Sequence, residues 1–322
     1  MYKILYLGNF DSPNAEYISK TLEEMGHLVK RRHEEFTTVD DVLEMIKDFD
    51  FVLTEEARMK GDYFYGEILN GERDTCQGRF KEVMDKILVV PWLTNIQWGI
   101  ERREPLIKEN PIFKAPVVFS TDGGNDEKWK ELGINHVCLR QGIYQGEAVM
   151  TDPEPTPVKV GFVGEDNQYI WPFRRQLLFF LSKCYGNRFR WVGPGSRYAG
   201  AYHLRLNNFC ATMKIIVGDS VLSPNYWSNR VYEIIGRGGV LIMPDIEGLE
   251  KEFVPGKHYI PYKKLDLIDL KDKIDYYLAH DEEREKIRRD GFEYCKTNYT
   301  YKHRLEKIIE YVRTRNSKSF RH

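Results

Sequence analysis

"QGEAVMTDPEPTPVKVGFVG" (residues 145–164) joins two unlike kinds of sequence. Residues 145–158 carry three prolines, several acids and no hydrophobic period, the composition of an interdomain linker. The end of the stretch, "VKVGFVG" (158–164), is an apolar β-branched run closed by glycine, which predicts a strand reaching a tight turn. Upstream, short apolar runs alternate with segments of helical period: "KILYL" (3–7), then 14–25; "FVL" (51–53); "ILVV" (87–90); "APVVFS" (115–120), then 126–132; and "HVCL" (136–139). Downstream the same rhythm restarts, with a helix over 172–185, "FRWVG" (189–193), a helix near 203–210, "MKIIVG" (213–218), a helix over 229–237 and "VLIMP" (240–244). Helices over 269–279, 282–297 and 301–315 follow. Such alternation predicts a parallel α/β sheet on each side of the linker. The expected domains are 1–150, 151–300 and a C-terminal helix, 301–322, that returns to the first.

Composition agrees with two soluble domains. The 322 residues are 42% hydrophobic and 30% charged, and 48 Lys and Arg against 49 Asp and Glu leave a formal net charge of −1. A chain so balanced has no global field to draw it onto a polyanion. Lys30–Arg31–Arg32 and the tail from Arg313 to His322 read as solvated faces and a frayed terminus. Cys76, Cys138, Cys184, Cys210 and Cys295 are odd in number and show no CxxC spacing, so neither a disulfide framework nor a zinc site is expected, and a reducing cytoplasm fits. The N-terminus has no signal-peptide pattern, and no stretch approaches 18 apolar residues.

In parallel α/β sheets, ligands bind beyond the carboxyl ends of the strands. The first such end, "LGNFDSPN" (7–14), lacks GxGxxG, and no strand leads into GxxxxGK[ST], which disfavours a dehydrogenase or a P-loop NTPase. "VGFVGEDNQYIWPFRR" (160–175) offers a glycine turn at Gly164 with Arg174 and Arg175 nearby, suited to a diphosphate or simply to a strand–helix turn. "YWSNRVYEIIGRGGVLIMPDIEG" (226–248) is more specific. Asn229 is the expected N-cap, which places Arg230 and Glu233 at i, i+3 on a first helical turn. That pair reads equally as a phosphate and ribose contact or as a surface ion pair. Gly236, Gly238 and Gly239 then end the helix and start a strand. "DFD" (48–50) precedes a strand and reads as a loop, and the histidines show no HxxxH or HExxH spacing, so no metal site is predicted.

Residues 213–304 resemble the C-terminal half of GT-B-fold glycosyltransferases, most closely the CgeB-like (spore maturation protein) group. "NRVYEIIGRGGVLIMPDIEGLEKEFVPGKHYI" and "LAHDEEREKIRRDGFEYCKTNYTYKHRL" carry the likeness. "NRVYE" and "RQGI" (140–143) are also similar to "LRVWE" and "SQGI" of phage DNA β-glucosyltransferases. The resemblance implies two Rossmann-like domains facing across a cleft, the second holding a nucleotide-sugar donor and the first an acceptor. It implies that Arg230 meets the donor diphosphate and Glu233 the ribose, with Gly164, Arg174, Arg175 and Gly239 lining the donor pocket. Two departures stand out: Asn225 where the larger retaining class has a glutamate, and Asn95 where the phage enzymes have a basic aspartate. The base is therefore expected from Asp11 or Asp122, which follow strands of the first domain. The implied activity is metal-independent transfer from a UDP-sugar, used as substrate with no further cofactor, to a saccharide hydroxyl. A hydroxylated DNA base as acceptor, a non-catalytic sugar-nucleotide-binding subunit and a nucleotide-sugar epimerase are the alternatives.

Overall fold

The computed structural model describes the chain except for residues 11–12, 56–58, 61–62, 65–74, 77, 95–106, 109, 153–157, 167–171, 195, 197–202, 222–223 and 320–322. Two compact units emerge, Met1–Arg140 with Arg304–His322, and Gln141–His303.

In the first unit β1 (Lys3–Gly8), β2 (Leu28–His33), β3 (Phe51–Thr54), β6 (Val89–Leu93), β7 (Val118–Ser120) and β8 (His136–Cys138) form one sheet in the order β2-β1-β3-β6-β7-β8. Every pairing in it is parallel. Short strands β4 (Tyr63–Phe64) and β5 (Thr75–Cys76) pair with each other. β3 and β6 are buried along their whole length, and β1 beyond Lys3, so they read as continuous apolar runs, as strands covered on both faces do. Helices α1 (Pro13–Glu24), α2 (Val39–Met45), α3 (Lys81–Met84) and α4 (Asp126–Glu131) accompany them. α2 starts at a reciprocal capping box between Thr38 and Asp41.

The second unit repeats the plan with β9 (Val160–Val163), β10 (Phe189–Val192), β11 (Ile215–Val217), β12 (Leu241–Pro244) and β13 (Ile260–Tyr262), ordered β10-β9-β11-β12-β13 and wholly parallel. Its helices are α5 (Arg174–Tyr185), α6 (Leu204–Thr212), α7 (Arg230–Ile235), α8 (Leu267–Ala279) and α9 (Asp281–Asn298). Along β11 the side chains alternate between two cores. Ile216 packs with Leu241 and Tyr232, whereas Ile215 and Val217 pack with Phe162 and Ile242. Helices therefore cover both faces, the doubly wound arrangement that leaves the carboxyl ends of the strands as the place for ligands.

The stretch expected to be a linker is built in at its start. Ile143 exchanges main-chain hydrogen bonds with Tyr299 and Tyr301, Glu147 is buried, and Arg288 donates to the Thr151 carbonyl. Residues 141–150 therefore pack with the second unit, ten residues earlier than the expected boundary at 150. The final helix, α10 (Tyr301–Ser319), passes from the second unit to the first at Arg304. There the Tyr311 ring meets Phe119 edge-on at 6.0 Å.

Candidate functional site

At the carboxyl ends of β9 and β11 three charged groups converge. Asp219, two residues beyond β11, accepts two hydrogen bonds from Arg174, Nε at 2.7 Å and Nη2 at 2.8 Å. Its Oδ1 also accepts from Arg230 Nη1 at 2.8 Å, and its carbonyl takes a second bond from the same nitrogen at 3.0 Å. Both guanidinium groups lie over the Phe162 ring, at 5.5 and 5.2 Å. Two cations against one carboxylate leave a local surplus of one positive charge.

The two arginines differ in what remains to them. The Arg174 side chain is 1% exposed, and its third donor group, Nη1, binds the Glu165 carbonyl at 2.6 Å, so it braces Asp219 instead of facing outward. Arg230 is anchored through Nη1 alone, and its Nη2 makes no hydrogen bond among the described residues. Burial lowers its pKa to about 10, opposed by Asp219, so it stays cationic at neutral pH. Gly164 lies beside it with φ at +150°, and a Cβ there would come within 2.5 Å of Nη2. Only glycine leaves the main chain open at this point. Arg175 is separate: its side chain is 63% exposed and reaches Asp166 at 3.3 Å.

Glu233 sits in an adjoining buried network. Its Oε2 pairs with Arg237, one turn further along, and its Oε1 accepts from Asn229 Nδ2 at 3.2 Å. Burial raises its pKa while Arg237 opposes the shift. Arg237 is fully buried and also pairs with Glu147, whose Oε1 lies 2.9 Å from His203 Nδ1. The expected N-cap role of Asn229 is not what the structure has: its backbone is already helical, it makes no capping bond, and its side chain turns to Glu233 instead. A carboxylate four residues on is the stronger acceptor for an amide.

The other expected residues fall as follows. Gly239 precedes β12, at the amino end of the strand and so on the edge opposite the ligand side, where a Cβ would meet Ile234 Cγ2 at 2.7 Å; its role is close helix–strand packing. Asn225 has φ +54°, a conformation that asparagine tolerates and glutamate disfavours, and its Oδ1 lies against Gly248. In the first unit Asp122 is 7% exposed, and its two oxygens accept from Trp129 Nε1 at 2.9 Å and Asn125 Nδ2 at 3.1 Å. Asp11 and Asn95 lie outside the described residues.

Sequence reasoning missed Asp219, Arg237 and Glu147. Asp219 was findable, since it directly follows "KIIVG" at a carboxyl end, but Glu147 lay hidden in a stretch read as linker. Two more carboxylates occupy the carboxyl edge of the first sheet. Glu34 accepts from Thr54 Oγ1 at 2.9 Å and from the Glu55 amide at 3.0 Å, and Glu55 accepts from the Tyr6 hydroxyl.

Comparison with known proteins bears on this geometry. A sequence profile described as glycosyl transferase-like matches residues 174–310, whereas no curated protein sequence matches. Among solved structures, HepE of Anabaena in complex with UDP and glucose superposes with a TM-score of 0.65 at 10% identity, over 98% of this chain and 100% of that one. Sucrose-phosphate synthase of Thermosynechococcus elongatus gives the same values. A glycosyltransferase of Rickettsia africae ESF-5 gives 0.64 at 15% identity, over 97% and 98%. The chain thus has the two-domain α/β fold of GT-B glycosyltransferases, and the span that holds Arg174, Asp219, Arg230, Glu233 and Arg237 matches the glycosyl transferase-like family.

Proposed function

We propose that the protein is a glycosyltransferase that takes a sugar from a nucleoside-diphosphate donor, a UDP-sugar first, and transfers it to a saccharide hydroxyl. The observation that carries the reading is Arg230, fixed by Asp219 through one nitrogen while Nη2 faces the bare main chain of Gly164. A guanidinium held in this way meets a diphosphate without first reorganising. It is also in place to stabilise the charge that grows on the leaving diphosphate, an electrostatic contribution that removes several kcal/mol of barrier in sites of this kind, about 3 per donor. HepE, which shares the fold, was solved with UDP-glucose, and this supports the donor class.

Arg174 serves by holding Asp219, and Arg175, exposed and paired with Asp166, is kept as a further candidate for the donor side. Transfer of this type needs no metal, because Arg230 supplies the countercharge. For the base, the carboxyl edge of the first sheet offers Asp122, joined now by Glu55, and Asp11 stays a candidate from the sequence alone. The "NRVYE" and "PGK" segments support a place in the CgeB-like group.

The test is a panel of nucleotide sugars assayed with the intact protein and with Arg230→Ala. Turnover or nucleotide binding in the wild type, lost at least a hundredfold in Arg230→Ala with an unchanged melting profile, is the expected result. Near-normal turnover in that variant would sink the assignment, and product formed without any acceptor would favour the epimerase.

A further inference from the structure

A cavity of about 440 Å³ opens on the first unit beside the amino ends of β6 and β7. The strands of this sheet run parallel, so that edge is the one opposite Glu55 and Asp122, which follow carboxyl ends. The cavity therefore lies apart from the edge at which a doubly wound sheet meets its substrates.

Its lining is one-sided in charge. Lys81, Lys86, Lys114 and Arg315 face a single carboxylate, Asp85, over a wall that includes Met84, Ile87 and Pro111. Lysines on other helices pair one turn away, Lys20 with Glu16 at 2.5 Å and Lys286 with Asp290 at 2.6 Å. Lys81, Lys86 and Lys114 make no side-chain hydrogen bond or ion pair among the described residues. Local structure holds these cations together. The Lys86 and Ile87 amides both bond the Val83 carbonyl, closing the turn after α3. Asn110 accepts from the Ile112 amide at 3.1 Å and starts the short helical turn Pro111–Lys114. Arg315 comes from α10, which is anchored one turn earlier by the fully buried Val312.

We propose that this cavity binds a ligand carrying a phosphate or diphosphate group, with an apolar portion seated against Met84 and Ile87. A phosphate monoester brings about two negative charges at neutral pH, which answers several cations at once, whereas a carboxylate brings one. A cleft of one sign with apolar walls focuses its field on such an ion, and lysine serves phosphate as a point charge without demanding a fixed approach. The volume falls within the range of roughly 300–1,000 Å³ typical of small-molecule sites. The phosphate belongs either to a soluble compound or to a lipid headgroup, and the proposal does not depend on the nucleotide-sugar reading.

Lysine acetylation of the full chain, read residue by residue by mass spectrometry, tests it with two probes: inorganic pyrophosphate and phosphatidylglycerol vesicles, with phosphatidylcholine vesicles as the control. At least one probe should slow acetylation of Lys81, Lys86 and Lys114 threefold or more and leave Lys271, in the second unit, unchanged. Protection by pyrophosphate assigns the site to a soluble phosphate compound, and protection by phosphatidylglycerol alone assigns it to a headgroup. The variant carrying Lys86→Ala and Lys114→Ala, both exposed positions, should keep the wild-type melting profile and bind the protecting probe at least tenfold more weakly. The Arg230→Ala variant should show the same protection as the wild type. No protection by either probe, equal protection by phosphatidylcholine, or an affinity unchanged in the double variant overturns the proposal.

Discussion

At the scale of a single residue, Asp219 holds the charge balance at the carboxyl edge of the second sheet. Its carboxylate is the counterion of Arg174, whose side chain is 1% exposed, and it holds Arg230 as well. Replacing it by asparagine keeps the shape but removes the charge, leaving a buried guanidinium uncompensated. Breaking a buried pair from one side costs about 3–5 kcal/mol. The Asp219→Asn variant should therefore melt roughly 10 °C lower by calorimetry, taking about 2–4 °C per kcal/mol for a unit of this size, and should bind nucleotide more weakly. A melting temperature within a degree of wild type would show that Arg174 does not depend on this carboxylate. The same residue marks the limit of motif reading. Arg230 and Glu233 stand out in the sequence because one helical turn joins them, but Asp219 and Arg174 meet across 45 residues of chain, and no local pattern records that.

Elements were legible where a strand was buried on both faces and obscure where it lay at an edge. "KILYL" and "VLIMP" announce central strands. "LVKRRH" is β2, the edge of the first sheet, and its three cations disguise a strand as a basic patch, in keeping with the way charged edges block unwanted pairing. "IPY" is β13, the edge of the second sheet, where a proline can sit without breaking a central ladder. Between elements, β7 and β8 are tied by His136, whose ring stacks on Trp129 at 4.5 Å and whose Nε2 lies 2.7 Å from Ser120 Oγ. Burial lowers its pKa from 6.5 to about 4, with Asp126 opposing. The folded state thus takes up a proton less readily than the unfolded chain. Stability tied to this group is fully present above pH 6.5 and is lost as pH falls toward 4, by about 3 kcal/mol. Thermal melts between pH 7 and 4 should show that decline in the wild type and a flatter profile in His136→Gln. Parallel profiles would remove His136 as its source.

At the scale of the whole molecule the fold does not name the acceptor, because GT-B folds, like other widely used folds, carry many functions on one frame. Here charge is the ground for expecting one of the two proposed acceptors over the other. A protein that holds duplex DNA neutralises several phosphates, and its affinity falls about a thousandfold or more between 50 and 200 mM salt when six or more contacts are made. This chain offers 48 cations against 49 anions. Its two conspicuous basic stretches are accounted for by an edge strand, β2, and by the end of α10. A saccharide acceptor asks for hydrogen bonds and aromatic faces, and 13% of the residues are aromatic. We therefore expect the protein to pass a duplex-DNA column without retention at about 50 mM salt, and to transfer sugar to saccharide acceptors at rates that change less than about threefold between 50 and 200 mM. Retention at low salt that collapses steeply across that interval, together with glucosylation of hydroxymethylated duplex, would move the acceptor from saccharide to DNA while leaving the donor site as it stands.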